Sequence, residues 1–174
     1  MRRALFSVFL PLAACAPSEV ETGTPLPGGR IAVAQLVTAS GTPAGRATAT
    51  EVAGGLRVTI DARATPPGTH GAHVHTVGRC DAPGFESAGP HWNPAGTKHG
   101  TANPQGPHAG DLPNIVIGRD GRGTVGVTLP GATMDAMLDA DGAAMLIHAA
   151  ADDGQTDPSG NSGARIVCGV FAPA

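Results

Sequence analysis

Gly71-Ala72-His73-Val74-His75-Thr76-Val77 is the stretch whose reading decides the fold. Side chains two apart on a β-strand point to the same face, so in a strand over 71–77 both imidazoles can reach one metal ion. Immediately afterwards the chain enters residues 78–113, dense in Gly and Pro and without periodicity. A loop this long is uncommon in a compact domain unless it is functional or cross-linked.

Outward from that strand, short β-type runs recur at 31–39, 44–52 and 56–63, with alternation clearest at Leu56, Val58 and Ile60. Gly54-Gly55 suits a hairpin turn. Further runs follow at 114–118 and 123–129, with Asp120-Gly121 between them, and at 144–149 and 164–171. A helical turn is expected over 133–139, and a second, polar loop over 152–163. The composition agrees: 26 Gly, 16 Pro, 3% aromatic residues and no Tyr suit a β-structure with many turns and a small-residue core. The expectation is an all-β domain, an eight-stranded Greek-key β-barrel or sandwich with two long functional loops.

The chain of 174 residues supports one domain. Residues 1–14, with Arg2 and Arg3 ahead of an apolar run, have the order of a signal peptide and are too short to span a bilayer permanently. Leu12-Ala13-Ala14-Cys15 resembles a bacterial lipobox, in which Cys15 is acylated; an ordinary cleaved signal is the alternative. Residues 15–29 have almost nothing to bury and read as a flexible, lipid-attached linker, leaving 30–174 as the folded domain. With Cys15 lipidated, Cys80 and Cys168 remain to pair; such a bond suits an oxidising compartment and stabilises by roughly 4 kcal/mol in the chain-entropy model. Free core thiols are the alternative. Loss of Arg2 and Arg3 from 11 basic residues leaves nine against 14 acidic ones, close to −5, which argues against nucleic acid as a partner. The expected place is the periplasmic cell envelope of a bacterium, anchored to the membrane through Cys15. Ala16 lacks an inner-membrane retention signal of the Asp type, which points to the outer membrane.

An HxH pair alone is weak evidence for metal. It gains weight because His91, His99, His108 and Asp111 follow in one loop that has no hydrophobic core of its own. Three nitrogens and a carboxylate oxygen in a tetrahedron suit zinc, whereas imidazoles in a flatter array suit copper, a set that His148 can complete from another strand.

Gly71 to Cys80, Gly89-Pro90-His91-Trp92-Asn93-Pro94, Lys98-His99-Gly100, His108-Ala109-Gly110-Asp111-Leu112 and Gly160 to Val170 together resemble, in order, the signatures of the copper/zinc superoxide dismutases. The resemblance implies one copper and one zinc ion per chain. Copper would be held by His73, His75, His91 and His148, and zinc by His91, His99, His108 and Asp111, with His91 bridging. It implies that Asp152 orients a copper ligand and a zinc ligand from behind, that Arg165 guides the anion, and that His91 supplies a proton during dismutation of superoxide to oxygen and hydrogen peroxide. His70, the one histidine left over, matches a structural hydrogen-bonding position. Where many relatives carry a steering lysine, this chain reads Thr156-Asp157-Pro158-Ser159-Gly160; Lys98, its only lysine, is the candidate substitute. The alternative function is a non-enzymatic copper/zinc storage or delivery protein on the same fold. Monomer and homodimer are both compatible with the sequence.

Overall fold

The computed structural model describes residues 24–174. The expected signal peptide, the lipidation site Cys15 and the linker up to residue 23 lie outside the described residues. Among the described residues there are nine strands: β1 (Ile31–Thr38), β2 (Pro43–Val52), β3 (Gly55–Ala62), β4 (Gly68–His70), β5 (Ala72–His75), β6 (Ile115–Ile117), β7 (Gly123–Pro130), β8 (Ala144–His148) and β9 (Arg165–Pro173). Seven form one antiparallel sheet in the order β5-β8-β9-β1-β2-β3-β7, and β4 pairs with β6. β4 and β5 are halves of one strand interrupted at Gly71, whose N–H donates to Ala150 and whose carbonyl accepts from His148. The curled sheet thus runs from β5 around to β7, and β6 with β4 leads back to β5. Counted so, the strands number the expected eight. Neighbours distant in sequence, such as β1 beside β9 and β3 beside β7, give the Greek-key connectivity.

Alternation places the core. Leu56, Val58 and Ile60 of β3 share it with Ala32, Ala34, Ala47 and Ala49 of β1 and β2, and with Val74, Met145, Ile147 and Phe171. Small side chains on two adjacent strands let the sheet curl tightly around the larger ones opposite. A second apolar cluster, Phe85, Ala88, Ala144, Leu146 and Cys168, occupies the other face of β8 and β9, beneath the long loop. The barrel therefore has one outer patch that is buried, and the histidines of β5 and β8 share that side.

The structure differs from the sequence reading in local ways. The hairpin between β2 and β3 turns on Ala53-Gly54, because Gly55 already pairs with Val52. The short turn Glu86–Ala88 and the strand β4 were not expected; each is only three residues, and β4 exists because β6 offers it a partner. The linker expected to reach Gly29 is paired over its described part: Leu26 N–H donates to Glu51 O and Ala53 N–H to Thr24 O. The helical turn α1 (Met134–Met137) falls inside its expected span, capped by Thr133 Oγ1, which accepts from Ala136 N–H at 3.2 Å.

Ile60→Ala should lower stability by about 2–5 kcal/mol, since this wholly buried side chain faces neighbours that cannot collapse into the space. Urea unfolding at neutral pH checks this.

Candidate metal centre

β5 presents His73 and His75 on the face opposite Ala72 and Val74. Loop strands are laid along β5 by backbone hydrogen bonds: Val74 N–H to Gly110 O at 2.9 Å, Trp92 N–H to Val74 O at 2.8 Å, and Gly110 N–H to Trp92 O at 2.8 Å. These bonds bring His91 opposite His75 and Asp111 opposite His73. Gly110 is required at this crossing, because a Cβ there would lie 2.4 Å from Val74 O. His148 arrives from the end of β8, level with Arg165 of β9.

The result is two overlapping clusters of ligand atoms. His73, His75, His91 and His148 bring one nitrogen each within 4.8 Å of one another. In the second, Asp111 Oδ1 lies 2.9 Å from His91 Nδ1, 3.0 Å from His99 Nδ1 and 3.3 Å from His108 Nδ1, which is itself 3.4 Å from His91 Nδ1. These four separations are close to the edge of a tetrahedron with bonds of about 2.0 Å, the length of a zinc–nitrogen bond. The second set whose ligand atoms all lie within 4.8 Å of one another is, however, His73, His91, His99 and Asp111; His108, expected in it, stands at its margin, close to Asp111 and His91. His73 and His91 are common to both sets, their rings 3.9 Å apart.

Each ring is turned by a partner on its far nitrogen. His73 Nε2 donates to Asp152 Oδ2 at 2.6 Å, and His99 Nε2 to Asp152 Oδ1 at 3.1 Å, so one carboxylate orients a member of each cluster. His75 Nδ1 donates to Gly89 O at 2.8 Å and His148 Nδ1 to Gly163 O at 3.1 Å. The opposite nitrogens are left with lone pairs and no partner: His73 Nδ1, His75 Nε2, His91 Nε2, His99 Nδ1 and His148 Nε2 are buried without a hydrogen bond. Among the described residues only Thr128 Oγ1 and Ser162 Oγ share that state. Leaving a buried polar atom unpaired costs about 1–3 kcal/mol, so five such atoms converging on two points fit metal ions as their partners.

The electrostatics agree. Burial pushes His73 down to about 4, His148 to about 3 and His75 to about 2, and lowers His108 as well, so these rings are neutral, as ligands must be. Burial opposes ionisation of Asp111, yet the His91 hydrogen bond and the Gly100 N–H hold it at about 2. Asp152 likewise stays below the usual carboxylate range against its burial, through hydrogen bonds from His73, Gly154 N–H and His99.

Arg165 borders a cleft of about 460 Å³ with His75, His91, His148, Pro158 and Ser159. Its guanidinium donates from Nη1 to Phe85 O and from Nη2 to Gly89 O, both at 2.8 Å. Gly89 O thus accepts from Arg165 and His75 together. The loop carrying it is tied to β9 by the Cys80–Cys168 disulfide, the pairing expected from the sequence. His70 lies apart from the clusters, its nitrogens 2.7 Å from His148 O and 2.9 Å from Pro66 O. Lys98 does not replace the missing steering charge freely, since its Nζ is paired with Asp157 Oδ2 at 3.0 Å. Asn114 was not foreseen: its side chain both donates to Asp152 O and accepts from Asp152 N–H, each at 2.8 Å, fixing the orienting aspartate. A single Asn at a strand's start carries no signal of that in sequence.

Fold and site together define a Greek-key barrel protein with two overlapping histidine clusters able to hold metal on its outer face. Residues 43–171 match the family described as copper/zinc superoxide dismutase. The chain is 41% identical to superoxide dismutase [Cu-Zn] 2 of Aquifex aeolicus over 144 residues, 79% of this chain and 84% of that protein. A double mutant of a SOD-like protein from Bacillus subtilis, with histidines in place of a tyrosine and a proline, superposes with a TM-score of 0.75 at 46% identity, over 79% of this chain and 95% of that one. The Cu/Zn superoxide dismutase of Brucella abortus gives 0.67 at 26% identity, over 82% and 99%. The chain belongs to the copper/zinc superoxide dismutase family. It is an oxidoreductase of that class, with copper and zinc as its cofactors.

Two outcomes follow. Asp152→Ala should weaken metal binding about 10–100-fold, measured by chelator competition, because two rings lose their orienting acceptor. Rings that stay neutral when folded bind fewer protons than their unfolded counterparts near 6.5, so metal-free protein should lose stability as pH falls from about 6.5 towards 2–4. Asp111 adds to this below 3.8. Urea midpoints at pH 7 and pH 5 check the sign: the lower value is expected at pH 5.

Proposed function

We propose that this enzyme converts two superoxide anions and two protons to oxygen and hydrogen peroxide at a site where His73, His75, His91 and His148 hold copper while His91, His99, His108 and Asp111 hold zinc. The observation that carries the reading is the convergence of five buried, partnerless ring nitrogens beside a fixed guanidinium. His91 supports a bridging role because it faces the second cluster through Nδ1 and keeps Nε2 for the first. Copper, by changing oxidation state, supplies the electron exchange.

The chain's own residues do the rest. Arg165, desolvated enough to lower its pKa yet still a guanidinium, attracts the anion into the cleft and orients it beside His75 and His148. His91 Nε2 is the atom at which a proton is taken up and passed to the peroxide product. Asp152 and the carbonyls of Gly89 and Gly163 keep the other rings in one tautomer throughout. A storage or delivery protein would have no use for Arg165 held over the cleft, and that reading is not favoured.

The same proposal places the enzyme at the bacterial cell envelope, lipid-anchored through Cys15 and guarding the periplasm. The Leu12-Ala13-Ala14-Cys15 sequence supports this, as does a disulfide suited to an oxidising compartment. Cys15→Ala should move the protein from the membrane to the soluble fraction.

Protein carrying one copper and one zinc per chain should dismutate superoxide. His148→Ala should abolish turnover with loss of copper. Arg165→Ala should keep both metals and lower kcat/KM by about tenfold or more, with a flatter salt dependence. Fully metallated wild-type protein without activity would overturn the enzyme reading.

A further inference from the structure

Asp157 is in neither metal cluster. It belongs to the loop 152–163, while His99 and His108 belong to the loop 76–114, and it joins the two. Its Oδ1 accepts from the His99 backbone N–H at 2.9 Å, and its Oδ2 from Lys98 Nζ at 3.0 Å. His108 Nε2 is 3.9 Å from the same Oδ1. The next two residues, Pro158 and Ser159, line the cleft with His91, His148 and Arg165. Further bonds run alongside: Ala102 N–H to Gly154 O at 3.0 Å, and Asn103 Nδ2 to Gln155 O at 3.4 Å. The seam ends at Asp157, where the loop leaves the second cluster and becomes cleft wall.

We propose that Asp157 is a positioning residue that fastens the cleft-lining loop to the backbone of His99, and through that bond holds the His99 ring in place for metal at the neighbouring cluster. This rests on the reading that the cluster holds zinc. A carboxylate accepting a backbone N–H makes a charge-assisted bond, stronger and more directional than a neutral one. That bond fixes the peptide entering His99 and with it the ring. The Lys98 pair is exposed at both ends, with side chains 56% and 39% accessible, and is the weaker part of the contact. The same exposure means that replacing Asp157 opens no core cavity.

The test uses full-length, copper- and zinc-loaded protein, with zinc and copper affinities read separately by chelator competition and loop order read by amide hydrogen exchange over 156–161. Asp157→Ala should weaken zinc about tenfold, leave copper within about twofold and speed exchange in that segment. Asp157→Asn, which keeps an accepting oxygen, should lose less. Lys98→Met should leave zinc affinity within about twofold. Zinc affinity unchanged in Asp157→Ala, equal weakening of both metals, or Lys98→Met reproducing the whole loss would each overturn the proposal. Should Asp111→Ala leave zinc binding unchanged, the ligand reading itself fails, a result separate from any of these.

Discussion

Everything about this centre depends on keeping five nitrogen lone pairs dry and aimed at one another on the outside of a barrel. An outer barrel face is ordinarily wet. Here it is covered by loops that bury only a small apolar cluster around Phe85 and Ala88 against β8 and β9, so the covering is held largely by other means. The structure uses three fasteners: the disulfide from Cys80 to β9, the backbone lattice joining Val74, Trp92 and Gly110, and the carboxylate of Asp152 lying behind both clusters. The barrel contributes a rigid edge, β5 and β8, from which His73, His75 and His148 project in fixed register.

The same economy explains the composition. A chain without Tyr and with few other aromatics cannot rely on large rings to fill space, and it closes its barrel with alanines on β1 and β2 against branched side chains opposite. Glycines appear where loops must approach closely. At Gly160, φ is +61° and a Cβ would lie 1.9 Å from Asp152 Oδ1, so the orienting carboxylate owes its place partly to a missing side chain.

Much of this was legible in the sequence, and the reason differs by element. The alternation of Leu56, Val58 and Ile60 reports a half-buried strand directly. The gathering of the histidines was readable because a Gly-rich and Pro-rich loop carrying three of them, beside a strand carrying two more, has little else to order it. The partners of those histidines were harder. Gly89 and Gly163 act through carbonyls, which no side-chain pattern encodes, and Asn114 acts through an amide whose target is 38 residues away. Asp157 was seen in sequence only as the absence of a lysine; its pairing with Lys98 depends on two loops meeting, which is a tertiary fact. β4 escaped for a similar reason, since Gly68-Thr69-His70 has no strand character until β6 lies beside it.

The carbonyl of Gly89 deserves a last thought. It is one oxygen with two donors, a ring from β5 and a guanidinium from β9. A loop that breathes would ordinarily blur the distance between the place where an anion docks and the ring beside it. With both groups referred to one atom, such motion carries them together. The place where an anion would dock and the ring beside it are thus measured from a single oxygen rather than from two separately placed ones.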